Sequence, residues 1–273
     1  MMKSAVIILS LAFILAISGC TSVSNGGLSM KLTADPSPVF SGTSTVVSID
    51  VDNTNAKSID NVLVQLFNTG ILTTDKDETC EGSFPRFLPM QFQSIICRLN
   101  APVVHDTTDT QIDALVSFHS TFSAAQVFEA MSEGEYARRK SLGSYATTPK
   151  SYTYGDRYVR VDVDFSDSPP LVIAPDRKYF VYLTITDVGS GFLKQIEPGD
   201  LHVYPFGQTP NIVQCSDITA PLTPAGKTFP RLGCEVIAPN DYFAVQSFRN
   251  TGFVLQLDYN YELRDSLKIS VVK

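Results

Sequence analysis

The chain has 273 residues, a formal net charge of −7 and 44% hydrophobic residues. An acidic chain without a Lys/Arg cluster is repelled by phosphate backbones, which excludes nucleic acid as a partner and disfavours anionic membrane surfaces. Its length fits a signal segment followed by two domains of ordinary size.

Residues 1–19 read as a lipoprotein signal peptide. Lys3 precedes an apolar stretch from Ala5 to Ile17, and Ile17-Ser18-Gly19-Cys20 closes it in the manner of a lipobox. The stretch is too short to span a bilayer, which takes about 20 residues, and it has the charged start and small-residue end of an export signal. Cleavage before Cys20 and lipid attachment to its thiol are expected, making the protein a lipoprotein with a membrane anchor. Removing residues 1–19 takes away one lysine and leaves a net charge of −8. Residues 20–28, rich in Ser, Gly and Asn, read as a tether.

Residues 29–130 and 157–273 read as two domains with the same internal pattern. Cys97-Arg98-Leu99-Asn100-Ala101-Pro102 matches Cys234-Glu235-Val236-Ile237-Ala238-Pro239 at an offset of 137. Upstream, Cys80 matches Cys215, and Val47, Ile49 and Val51 match Val181, Leu183 and Ile185 at 134; downstream, Phe118 and Phe122 match Leu257 and Tyr261 at 139. This is an internal duplication of one unit. Four cysteines allow three pairings. The duplication favours one disulfide per half, Cys80–Cys97 and Cys215–Cys234, in a compartment where such bonds persist. Metal ligation is the alternative, but zinc cysteines come in close C-x₂₋₄-C pairs, and none is present.

Each unit alternates as strands do: Val47, Ile49 and Val51; Val159, Val161, Val163 and Phe165; Phe253, Leu255, Leu257, Tyr259 and Tyr261. Breakers such as Pro36-Ser37-Pro38, Asn68-Thr69-Gly70 and Pro169-Pro170 separate the runs. The reading is all-β, with two tandem immunoglobulin-like β-sandwiches. Residues 131–156 read as a linker with one short helix, Ser132 as its cap and Glu135 closing a capping box.

On these residues the chain resembles the CARDB-type Ig-like domains of archaeal and bacterial cell-surface proteins. In the first half the resemblance runs from Met30-Lys31-Leu32 through Val46–Asp52, Val62–Gly70 and Ile95-Ile96-Cys97. In the second it runs through Val159–Phe165, Tyr179–Asp187, Leu201–Gly207 and Gly233–Ile237. The usual Pro-Gly before the later strand is only partly kept, as Leu88-Pro89-Met90 and Pro224-Ala225-Gly226. The resemblance implies adhesion or envelope roles and brings no catalytic residues.

Candidate sites are few. Asp75, Asp77 and Glu78 share a loop with the oxygen chemistry calcium prefers. Tyr145, Tyr152, Tyr154 and Tyr158 gather around the linker, either as rings for a glycan or as a first strand and a contact between units. His105, His119 and His202 have no metal-ligand spacing, and His119 is out of phase with Val116 and Phe118, so it faces solvent. There is no G-x-S-x-G, H-E-x-x-H, phosphate-binding glycine loop or C-x-x-C. The reading is a non-catalytic extracytoplasmic protein, not an enzyme. It needs no cofactor, is lipid-anchored at the membrane or cell surface, and partners another envelope protein. The alternative is a ligand-binding module for a glycan or calcium, with the small-molecule ligand unknown.

Overall fold

The computed structural model describes residues 26–75, 79–207 and 210–273. Cys20, the signal peptide, most of the tether, Asp77 and Glu78 lie outside the described residues.

The protein is all-β, with one helix among the described residues. The first half holds β1 (Leu28–Asp35), β2 (Val39–Phe40), β3 (Ser44–Asn53), β4 (Ile59–Asn68), β5 (Thr73–Thr74), β6 (Glu81–Phe87), β7 (Phe92–Asn100) and β8 (Thr108–Ser132). The helix α1 (Glu133–Ser141) and β9 (Ser151–Gly155) follow, within the range read as a linker. The second half holds β10 (Val159–Phe165), β11 (Leu171–Ile173), β12 (Tyr179–Asp187), β13 (Phe192–Leu193), β14 (Leu201–Pro205), β15 (Val213–Cys215), β16 (Leu232–Val236) and β17 (Phe248–Val272).

The alternating runs become strands with one buried face. Val47, Ile49 and Val51 of β3, and Val159, Val161, Val163 and Phe165 of β10, are buried, with their intervening polar residues turned out. One sheet is ordered β1-β3-β7-β5 and a second β15-β16-β12-β10-β9. The orders match once β9 is set aside. The registers match too: Val47 sits opposite Cys97 across β3 and β7, and Val181 opposite Cys234 across β12 and β16. Both disulfides expected from the duplication are present, Cys80–Cys97 and Cys215–Cys234.

The third sheet is shared by both halves. β8 and β17 are each 25 residues long and pair antiparallel from Thr108 opposite Val271 to Met131 opposite Phe248. β8 contains no Gly or Pro, and β17 contains only Gly252, so no breaker ends either strand. The sequence reading had no strand pairing between the halves; here they are joined along a continuous ribbon. Phe118, matched in sequence to Leu257, sits opposite Tyr261, and Phe122, matched to Tyr261, sits opposite Leu257. That exchange is what a two-fold relation between the repeats produces. The flanking strands obey it: Val64 of β4 faces Val116, and Val203 of β14, 139 positions on, faces Leu255.

The buried faces of the three sheets share one core. Phe128 of β8 meets Phe165 of β10 edge-on at 5.1 Å, and Tyr158 packs on Phe118 at 5.1 Å and Tyr261 at 4.6 Å. Ser132 caps α1 by accepting from Glu135 N at 3.3 Å. The capping box is not closed as expected. Ser132 N donates instead to Ser247 O at 2.9 Å, and the Glu135 carboxylate turns to Arg138 and Arg139.

Candidate interaction site

The feature best suited to recognition is the outer edge of β8. β4 covers this edge as far as His119, opposite Asp60, and β11 pairs with it in parallel from Ala130. Among the described residues no strand pairs with β8 on this side between those points. The result is a slot of Ser120–Glu129, closed at both ends by strands of the same sheet.

The orientation of its peptide groups follows from the register. Asp258 N donates to Asp200 O at 2.8 Å and Phe206 N to Gly252 O at 3.1 Å, so the even positions of β17 face β14. The odd positions therefore face β8, and their partners there are even, Leu255 opposite Ala124 and Leu257 opposite Phe122. The odd positions of β8, Thr121, Ser123, Ala125 and Val127, thus aim their N–H and C=O groups into the slot. The same residues are exposed, Val127 at 44%. The Val127 carbonyl is bonded by Gln126 Nε2 at 2.7 Å. Inward lie the buried rings of Phe122 and Phe128. At the His119 end the slot opens into a cavity of about 420 Å³ lined by Asn55, Lys57, Asp60, Ser120, Ser123 and Asp156.

Edge strands are normally protected by charge, proline or a covering element. By the repeat relation, residues 124–131, Ala-Ala-Gln-Val-Phe-Glu-Ala-Met, correspond to residues 263–270 of β17, Leu-Arg-Asp-Ser-Leu-Lys-Ile-Ser. The β17 stretch carries Arg264, Asp265 and Lys268, and Asp265 Oδ2 accepts from Leu32 N of β1 at 3.2 Å. The β8 stretch has one charge, Glu129, taken by Arg139 at 2.7 Å.

The sequence candidates are placed elsewhere. Tyr152 and Tyr154 lie on β9 and pack against the core, with Tyr154 Oη donating to Gln126 Oε1 at 2.6 Å. Tyr158 is buried between the repeats, where its hydroxyl accepts from Leu28 N at 2.5 Å and donates to Leu28 O at 3.2 Å. Burial pushes its phenol up to about 12. Tyr145 meets Tyr136 edge-on at 5.0 Å. Three of the four therefore belong to the alternative reading, a first strand and a contact between units. Asp75 accepts from Asn100 Nδ2 at 2.7 Å. No group of three or more His, Cys, Asp or Glu side chains is placed to hold a metal ion among the described residues. His119 Nδ1 lies 3.3 Å from Asn260 Oδ1 on the solvent face.

Sequence reasoning missed two polar centres beside Tyr158. Asp156 Oδ1 accepts from Tyr158 N and Val159 N, both at 2.8 Å, and Asp156 Oδ2 from Tyr259 Oη at 2.7 Å. Asp187, buried at the end of β12, accepts from Tyr261 Oη at 2.9 Å, Gly189 N at 3.1 Å and Leu193 N at 3.2 Å. Burial first, and the neighbouring carboxylates second, push both tyrosine hydroxyls well above their ordinary value. These are structural ties that hold β17 to the second half. The two disulfides indicate an extracytoplasmic location. No helix among the described residues is long and apolar enough to cross a membrane.

No family model matches the chain, and no curated protein matches it. Among solved structures it is similar to the C-terminal globular domain of oligosaccharyltransferase from Pyrococcus abyssi, at 8% identity and a TM-score of 0.25. That match covers 97% of this chain and 57% of the other, so the chain spans little more than half the length of its neighbour, and a likeness at this level carries no functional argument.

Proposed function

We propose that the protein is a non-catalytic, lipid-anchored module of the cell envelope that takes up an extended segment of a partner protein in the β8 slot. Each repeat is read as a CARDB-type Ig-like sandwich that shares its second sheet with the other, and Cys20 carries the lipid. The single observation behind this reading is the unprotected edge of Ser120–Glu129, set against its charged and covered counterpart on β17. Main-chain hydrogen bonds from an added strand supply affinity, and alternate side chains supply specificity. Outward positions of the guest lie beside Thr121, Ser123, Ala125 and Val127, so small and β-branched residues fit there.

The slot also excludes one occupant. A second copy pairing through its own β8 would run its strand past both ends of the slot, into β4 at one end and β11 at the other. A short segment whose ends can leave the sheet avoids both. The test places a photo-crosslinking residue at Ala125 and, as control, at Ser266 on the β17 edge. One recurrent partner is expected at 125 and none at 266. With the probe kept at 125, Ser123→Pro removes an N–H that no strand uses and should abolish the crosslinked complex while preserving the melting transition. A complex that survives Ser123→Pro would sink the proposal.

A further inference from the structure

The chain enters the folded body between the two repeats. Thr54 N donates to Gly27 O at 2.9 Å and Gly27 N to Thr54 Oγ1 at 3.2 Å, which ties the entry to the first repeat. The Tyr158 hydroxyl, bonded to both Leu28 N and Leu28 O, ties it to the second. The approach is close: a Cβ added to Gly26 would lie 2.5 Å from Thr54 O, and one added to Gly27 would lie 2.6 Å from Arg157 Cδ. Both halves of the molecule extend away from this point, β3 toward Ser44 and β10 toward Phe165.

Charge around the entry differs from that of the whole chain. Lys57 and Arg157 are exposed, and among the described residues neither forms an ion pair. Exposed Lys227 reaches Gly189 O at 2.6 Å, and Gly189 N bonds Tyr158 O at 3.2 Å, so this lysine stands at the same place. Of the nearby acids, Asp60 pairs with Arg86 at 3.1 Å, Asp156 and Asp187 each accept three hydrogen bonds from neutral donors, and Asp52 lies opposite Ser29. Three exposed cations therefore stand among these acids where a chain of net charge −7 receives its N-terminal segment.

We propose that this middle face is the membrane-facing surface and that Lys57, Arg157 and Lys227 bind anionic lipid headgroups. The inference rests on the Cys20 anchor of the proposed function. Cys20 is six residues before Gly26, a reach of at most about 20 Å, so a lipid there holds the molecule by its waist with both repeats lying outward along the surface. One acyl chain binds a bilayer marginally, and a basic patch is a natural second signal. Three such cations should strengthen partition onto anionic vesicles by about a hundred-fold at low salt.

The test uses the full mature chain lipidated at Cys20, on phosphatidylcholine vesicles with and without phosphatidylglycerol, with a headgroup-attached quencher. Fluorophores are placed at Ala56, beside the entry, and at Val103 and Thr147, at the far ends. Quenching is expected at 56 and not at 103 or 147. Lys57→Gln with Arg157→Gln should weaken binding to anionic vesicles and leave neutral vesicles unaffected. Stronger quenching at 103 or 147, or equal binding to both vesicle types, overturns the inference and leaves the anchor standing. Retention of Cys20→Ser on membranes from the native envelope, equal to wild type, removes the anchor itself.

Discussion

Asn53 and Asp187 occupy the same place in the two repeats, the last residue of β3 and of β12, and solve it with opposite chemistry. Each Oδ1 accepts from the backbone N–H two residues on, Asn55 N at 3.0 Å and Gly189 N at 3.1 Å. Each backbone N–H donates across the turn, to Gln91 O and to Lys227 O. Beyond that they diverge. The Asn53 amide donates to Leu88 O at 2.9 Å and Lys57 O at 3.1 Å. The Asp187 carboxylate accepts from Leu193 N and from Tyr261 Oη. By the repeat relation, Tyr261 corresponds to Phe122, which has no hydroxyl to give. The backbone of the unit fixes where a buried polar side chain must sit, and the neighbours decide whether it donates or accepts.

The largest effect should come from removing that group. Asp187→Ala takes the side-chain acceptor from Leu193 N and the Tyr261 hydroxyl in the core, while Gly189 N keeps Tyr158 O, at about 1–3 kcal/mol for each donor left unpaired. Asn53→Ala leaves mainly carbonyl oxygens, which tolerate under-bonding better than N–H groups do. Urea unfolding should therefore show Asp187→Ala as the more destabilised variant. Tyr261→Phe should cost about 1.5–3 kcal/mol, the usual worth of a hydrogen bond to a charged group. Equal losses for Asp187→Ala and Asn53→Ala would break the comparison.

The disulfides sharpen it next. Their sequence separations are close, 17 and 19, so loop entropy alone gives each about 3 kcal/mol. Their settings differ. Cys80 O accepts from Leu66 N of β4 in the shared sheet, while Cys97 lies on β7 in the first sheet, so this bond joins two layers. Cys215 and Cys234 sit directly opposite on paired strands β15 and β16, whose ends the ladder already holds. Replacing Cys80 and Cys97 by Ala should lower the melting temperature more than replacing Cys215 and Cys234. A matching drop would mean that loop length, not layer, sets the contribution.

How much of this was legible follows from the kind of signal involved. Period-two alternation marks β3, β10 and β17, and the offset of 134 that aligns Val47 with Val181 also aligns Asn53 with Asp187. The cysteine offsets placed both disulfides because each repeat keeps its own register. The shared ribbon was not legible as a pairing, since nothing local says which strand lies beside β8. A clue was present in the absence of any Gly or Pro from Thr108 to Ser132 and in the lack of charge from Ser120 to Phe128. Tyr152, Tyr154 and Tyr158 are spaced for a strand and a turn, and their rings pack against the core.

The smallest effect concerns the far ends of the two long strands. β17 takes β2 as a parallel partner at Val271, and β8 takes β11 at Ala130, but β8 also runs directly into α1. Glu135 fastens that helix. It accepts from Arg138 Nη2 and Arg139 Nε, both at 2.7 Å, and Arg139 also holds Glu129 and lies over the Phe248 ring at 4.6 Å. The hydrogen bonds from Arg138 and then Arg139 hold the Glu135 carboxyl down at about 2, against an ordinary value of 4.5. A carboxyl depressed on folding contributes stability that is fully present above its unfolded value and lost as pH falls through the folded one. Amide protection in α1 should therefore be constant above about pH 5 and fall between pH 4.5 and about 2. The end of β17 at Val271 and Val272, with no such carboxylate, should keep its protection across that window. Arg138→Gln should move the α1 midpoint upward, and an unmoved midpoint would show that the helix is held by packing rather than by this cluster.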